Sequence, residues 1–175
     1  VWNENYWISL GDWLAEPRYS ANYDAPEKIV IRQTGDSLVA TLDREQFVVR
    51  DNLYVISSKH PDCDLRFILA IINSKLLKWF YQKSINPETN EPLAQVKRAH
   101  LIQLPIVDPN VARQKFSNTY EQLVETTDLL LQLNRKLINN INDQKLENEI
   151  ENAEKLIDKC VIEIFNISES ETKFL

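Results

Sequence analysis

The spacing of apolar residues changes once along this chain, at Asp108-Pro109, and that change limits the folds open to it. Before it, Val, Ile, Leu and aromatic residues come in short runs, many of strand period; after it they recur in heptads. The chain therefore needs a sheet-bearing layer first and a helical pair second.

The first part is organised around residues 28–57. Four apolar runs there are separated by Gln33-Thr34-Gly35-Asp36-Ser37, by Leu42-Asp43-Arg44-Glu45-Gln46 and by Arg50-Asp51-Asn52. Short runs between polar turn residues predict consecutive strands, a β-meander. Gly35 can take the positive φ of a tight hairpin. The turns carry arginines or their neighbours, which fits loops that touch a polyanion. On composition alone the solvated-turn reading takes precedence, because exposed charges ordinarily only solvate a surface.

Charge separates the two parts. Residues 1–107 hold 12 Lys and Arg against 13 Asp and Glu, net −1, and residues 108–175 hold 8 against 13, net −5. Within the first part, residues 59–100 hold 7 basic against 4 acidic residues, net +3. The overall −6 argues against a non-specific nucleic-acid binder and leaves room for one basic face. No apolar run has the length of a membrane span, and no membrane partner is expected. Two isolated cysteines, Cys63 and Cys160, suit a reducing, cytoplasmic setting. The absence of Met and the start at Val1 lead us to expect a fragment of a longer protein.

Along the chain, Trp2, Tyr6, Trp7, Trp13, Tyr19 and Tyr23 read as an aromatic lid packed on the sheet. Asp64 is a candidate N-cap for a helix over residues 65–82, whose apolar positions recur at steps of three and four. Residues 84–94 read as an exposed loop and residues 100–106 as a short strand ended by Pro105. Phe116, Tyr120, Leu123, Thr127, Leu130, Asn134, Leu137 and Ile141 form one helical seam; Leu146, Ile150, Ala153, Ile157, Cys160 and Ile164 form a second. Asn139-Asn140-Ile141-Asn142-Asp143 is the turn between them, giving an antiparallel hairpin with a first arm of about 45 Å.

Catalytic chemistry is not evident. With only Gly11 and Gly35, no Gly-rich cofactor loop exists in this sequence. His60 and Cys63 lack a second ligand pair for zinc, and no Ser-His-Asp or Cys-His pattern presents itself. The fragment is expected to be non-catalytic, without cofactor or metal.

Residues 29–43, Ile-Val-Ile-Arg-Gln-Thr-Gly-Asp-Ser-Leu-Val-Ala-Thr-Leu-Asp, resemble the opening of the C-terminal specificity domain of TaqI-like DNA-adenine methyltransferases, including type IIG restriction-modification enzymes. The resemblance continues through Asn73-Ser74-Lys75 within residues 69–77, through residues 101–106, and through the tail 156–171, where Phe165-Asn166 stands in place of the family's usual Tyr-Gly. It implies a target recognition domain that docks on duplex DNA. A separate N-terminal methyltransferase domain of the same parent chain would bind S-adenosylmethionine and flip out an adenine.

The fold expected is α+β: a small, mainly antiparallel sheet domain with packed helices over 1–107, followed by an antiparallel helical hairpin over 108–175 as spacer or docking arm. Arg32, Thr34, Arg44, Lys75, Lys78, Lys97 and Arg98 are the candidate DNA-binding residues, with Arg32 or Arg44 as a base reader. The alternative is a protein-interaction module acting through the hairpin.

Overall fold

The computed structural model describes residues 11–13, 15, 21–60, 62–86, 91 and 94–173. Three strands, β1 (Lys28–Arg32), β2 (Ala40–Asp43) and β3 (Leu53–Ile56), form an antiparallel sheet in the order β2-β1-β3. The fold is α+β, as the sequence predicts. The strand order is not that of a meander, because β1 lies in the centre and β3 pairs with β1. The third apolar run, Phe47-Val48-Val49, is a loop and not a strand. The Asp43 carboxylate accepts hydrogen bonds from the Glu45 and Phe47 backbone N–H groups at 2.7 and 2.9 Å, and Gln46 takes φ 57°. Those bonds turn the chain back and take up donors that a ladder would use.

Strand alternation puts Ile29 and Ile31, both fully buried, on the core face, and Lys28, Val30 and Arg32 on the other. Lys28 stands opposite Asp43 in the β1–β2 register. Its fully buried ammonium lies 2.9 Å from that carboxylate and donates to the Tyr23 carbonyl at 3.1 Å.

Gly35 occupies the turn between β1 and β2 with φ +125°. A Cβ there would stand 2.8 Å from Arg32 Nη2, so the missing side chain also leaves room for that guanidinium. Gly35→Val should cost about 1–3 kcal/mol, the range for a forced backbone outlier; thermal melts that show no loss would contradict this.

Asp64 caps α1 (Leu65–Asn73) by accepting from Arg66 N–H. The single helix expected over 65–82 is broken at Ser74. The Ser74 hydroxyl donates to the Ile71 carbonyl and accepts from Leu77 N–H, so it ends α1 and starts α2 (Lys75–Phe80). A π-helical turn, Tyr81–Ile85, follows, so the expected loop begins later than its polar residues suggest. The strand expected over 100–106 is a short helix, α3 (Arg98–Leu101), and then irregular chain. Buried His100 accepts from Lys97 N–H at 3.4 Å, while Ile102 is largely exposed, so no sheet face holds these residues.

Asp108 and Pro109 open α4 (Pro109–Lys115), a kink at Phe116 ends it, and α5 (Ser117–Asn139) runs antiparallel to α6 (Gln144–Ile164), with α7 (Glu169–Thr172) after them. The kink leaves α5 with 23 residues, about 35 Å, rather than one longer arm. Asp143 caps α6 by accepting from Lys145 and Leu146 N–H.

The hairpin is buried at its root. Tyr120, Leu123, Val124, Ile157, Cys160 and Val161 belong to the same hydrophobic cluster as Ile29, Ile31, Phe67 and Leu69. The Phe67 and Tyr120 rings stack with centroids 4.8 Å apart. At the tip Ile138 and Ile141 face solvent. Trp13 is exposed and is not part of a lid, while Trp2, Tyr6, Trp7 and Tyr19 lie outside the described residues. Among the described residues, no helix is long and apolar enough to cross a membrane.

Candidate nucleic-acid interface

The outer face of the sheet and the end of β1 carry the first group of candidates. Beyond Arg32 the chain is laced to a distant segment. Val96 N–H donates to the Gln33 carbonyl at 2.8 Å, Gly35 N–H donates to the Ala94 carbonyl at 2.9 Å, and Thr34 forms a lone antiparallel bridge with Gln95. Lys97 and Arg98 follow directly. Behind them, the buried Tyr81 hydroxyl meets His100 Nδ1 at 3.1 Å and fixes α3 on the π-turn. Arg32, Thr34, Lys97 and Arg98 are thus brought together from segments more than 60 residues apart, and all four are exposed.

Lys75 and Lys78 form a second group. They line a groove of about 530 Å³ between the β2 edge, α2 and the hairpin. Lys75 is already engaged: its N–H donates to Asp158 Oδ1 at 2.8 Å, and its ammonium lies 3.5 Å from Asp158 Oδ2. The preceding Asn73 side chain donates to the Ala40 carbonyl and accepts from Ala40 N–H. The tripeptide Asn73-Ser74-Lys75 is therefore a joint. Asn73 holds the sheet edge, Ser74 breaks the helix and Lys75 ties down α6.

Arg44 stands apart from both groups. Its guanidinium contacts Glu27 at 2.7 Å and Asp128 of α5 at 3.0 Å. The hydrogen bond to Glu27, with a further one to Asp128, holds the guanidinium above its ordinary pKa. The bond from Arg44, with another from Gln132, holds the Asp128 carboxyl below the usual range. Arg66 bonds Asp64 at 2.7 Å beside the same Asp128. Arg44 is thus a strut from sheet to hairpin, engaged by two carboxylates.

Sequence reasoning missed two features here. The Lys28–Asp43 pair is one, although a signal for it exists: counting outward from the Gly35 turn sets these opposite charges face to face. Arg50 has the sequence context of a turn residue, yet it borders the outer sheet face beside Leu53, the register partner of Arg32.

The family described as the TaqI-like C-terminal specificity domain matches residues 1–106. The chain is also 33% identical over 146 residues to a protein of Methanocaldococcus jannaschii described as a "putative type II restriction enzyme and methyltransferase". That match takes in 81% of this chain and 11% of that protein.

Proposed function

The chain belongs to the family of TaqI-like C-terminal specificity domains, and from that premise we propose that it selects the duplex DNA sequence on which a restriction-modification protein acts. The observation that carries this reading is the convergence of Arg32, Thr34, Lys97 and Arg98 on one end of an otherwise acidic chain. Cations concentrated there can displace counterions from phosphates while an arginine reaches a base edge. Residues 1–107 are the recognition part, and residues 108–175 are a docking arm whose net −5 charge keeps it off the DNA. The parent activity we propose is site-specific, S-adenosylmethionine-dependent adenine methylation in the cytoplasm. A methyltransferase domain of the same protein supplies the cofactor site and the catalysis, with or without a nuclease.

The exposed Ile138 and Ile141 at the hairpin tip favour a second reading, a protein-interaction module acting through the arm. One assay separates the two. In the full-length protein, Arg32→Glu with Arg98→Glu should weaken duplex binding steeply and reduce the salt slope by roughly 0.9 for each phosphate that is no longer neutralised. If one of the pair reads a base, about 1–3 kcal/mol of discrimination at one base pair goes with it. Lys78→Glu serves as a single-charge test of the groove, since Lys75 is part of the fold. Unchanged binding, salt slope and site choice in all variants would reject the DNA reading and favour the interaction module.

A further inference from the structure

We propose that the loop of residues 44–50 reads thymine, with Phe47 and Val48 contacting the 5-methyl group in the major groove; this rests on the DNA reading above. Phe47 is 60% and Val48 55% exposed, an unusual place for two adjacent large apolar side chains. A floppy loop would account for that, but this loop is held at its root. Asp43 accepts from Lys28 Nζ, Glu45 N–H and Phe47 N–H, the Gln46 side chain donates to the Asp24 carbonyl at 2.9 Å, and Arg44 is clamped by Glu27 and Asp128. The fold thus fixes a short projection and leaves its apolar tip uncovered.

The tip overhangs the outer face of the sheet. Between them lies a concavity of about 430 Å³ lined by Val30, Thr41, Phe47, Val48, Arg50 and Leu53. Arg32 emerges on the same face, opposite Leu53 in the register, so the Leu53 wall of the concavity adjoins the first residue of the basic cluster. Arg32 and Arg50 are exposed and, among the described residues, neither has an acidic partner. Two cations beside an apolar tip suit a groove whose walls are phosphates. Phe47 and Val48 offer no side-chain donor or acceptor, so they cannot read hydrogen-bonding edges. The apolar group that base edges present in the major groove is the thymine methyl, and aromatic or aliphatic contact with it is a known mode of reading.

The test uses the full-length protein and two random duplex libraries, one with thymine and one with uracil throughout. Uracil keeps the pairing edge and lacks the methyl. The native protein should select a site from the first library with a thymine preference of about three- to tenfold at one or two positions, and lose that preference in the second. Phe47→Ala with Val48→Ala should lose it in the thymine library itself, with the melting temperature unchanged because both side chains are exposed. A site preference that survives the double change overturns the inference and leaves the DNA reading standing. Equal weakening on all sequences, thymine or uracil, also overturns it, as a sequence-blind wedge would behave that way. If the native protein selects no sequence at all, the DNA reading falls and this inference with it.

Discussion

Asp43→Asn is expected to lower the stability of the chain by about 3–5 kcal/mol, the cost of leaving a buried charge without its partner. Lys28 is completely buried, with its ammonium against this carboxylate and the Tyr23 carbonyl. Losing the negative charge strands that cation inside the fold. Urea unfolding measures the loss, and a change below about 1 kcal/mol would show that the pair is unimportant. The double change Lys28→Met with Asp43→Asn should recover most of it, because the stranded ammonium goes and Asn keeps one acceptor for the loop. Acidity gives an independent check. Burial tends to raise the Asp43 carboxyl, but hydrogen bonds from Lys28 and from the Glu45 and Phe47 backbone outweigh it and hold it below its ordinary 3.8. A carboxyl depressed in the folded state contributes stability that is fully present above that ordinary value. The contribution disappears as pH falls through the folded value. Asn does not titrate, so the difference between native chain and variant should narrow in acid below about pH 4.

Leu123→Ala should cost about 2–5 kcal/mol and destabilise sheet and hairpin together. Leu123 is fully buried, in one cluster with Ile29 and Ile31 of β1, Phe67 and Leu69 of α1, and Ile157 and Val161 of α6. The cavity it leaves therefore opens in the core that sheet, α1 and hairpin share. Circular dichroism follows the helices. Modification of the Cys160 thiol follows the hairpin root, where burial raises the thiol pKa and keeps it unreactive. Both probes should report one transition at the same lowered urea concentration. Two separate transitions would mean that the hairpin root is not part of the common core.

What could be read from the sequence was mostly local. The Asp64 cap, the Gly35 turn and the turn expected over residues 139–143 each depend on a few adjacent residues, and the structure shows all three, the last beginning one residue later, after Asn139 ends α5. The two heptad seams determine the hairpin, since a 3.6-residue repeat over about 20 residues leaves little choice. Non-local competition decided the rest. Val and Phe in the 47–49 run favour a strand, yet the Asp43 carboxylate claims the backbone of that segment. The apolar stripe over 65–82 gives no hint that the Ser74 hydroxyl replaces helical bonds in its middle. Of the candidate interface, Arg32, Thr34, Lys97 and Arg98 converge, which single-sequence charge counting permits but does not require. Arg44 has the look of a free hairpin arginine because its partners, Glu27 and Asp128, are 17 and 84 residues away. Lys75 belongs to a recognisable motif whose observed work is holding Asp158.

The Asn73 amide on Ala40 also bears on how the protein behaves in a crowd. An outer strand of a sheet offers unpaired N–H and C=O groups to any extended chain that drifts past, and that is how fibrils are seeded. At Ala40 both groups are already taken by a side chain that mimics a neighbouring strand and then leads into a helix. A strand arriving there would have to evict an amide anchored at the end of α1. The same contact that joins sheet to helix thus caps the outer strand at Ala40 against an incoming chain.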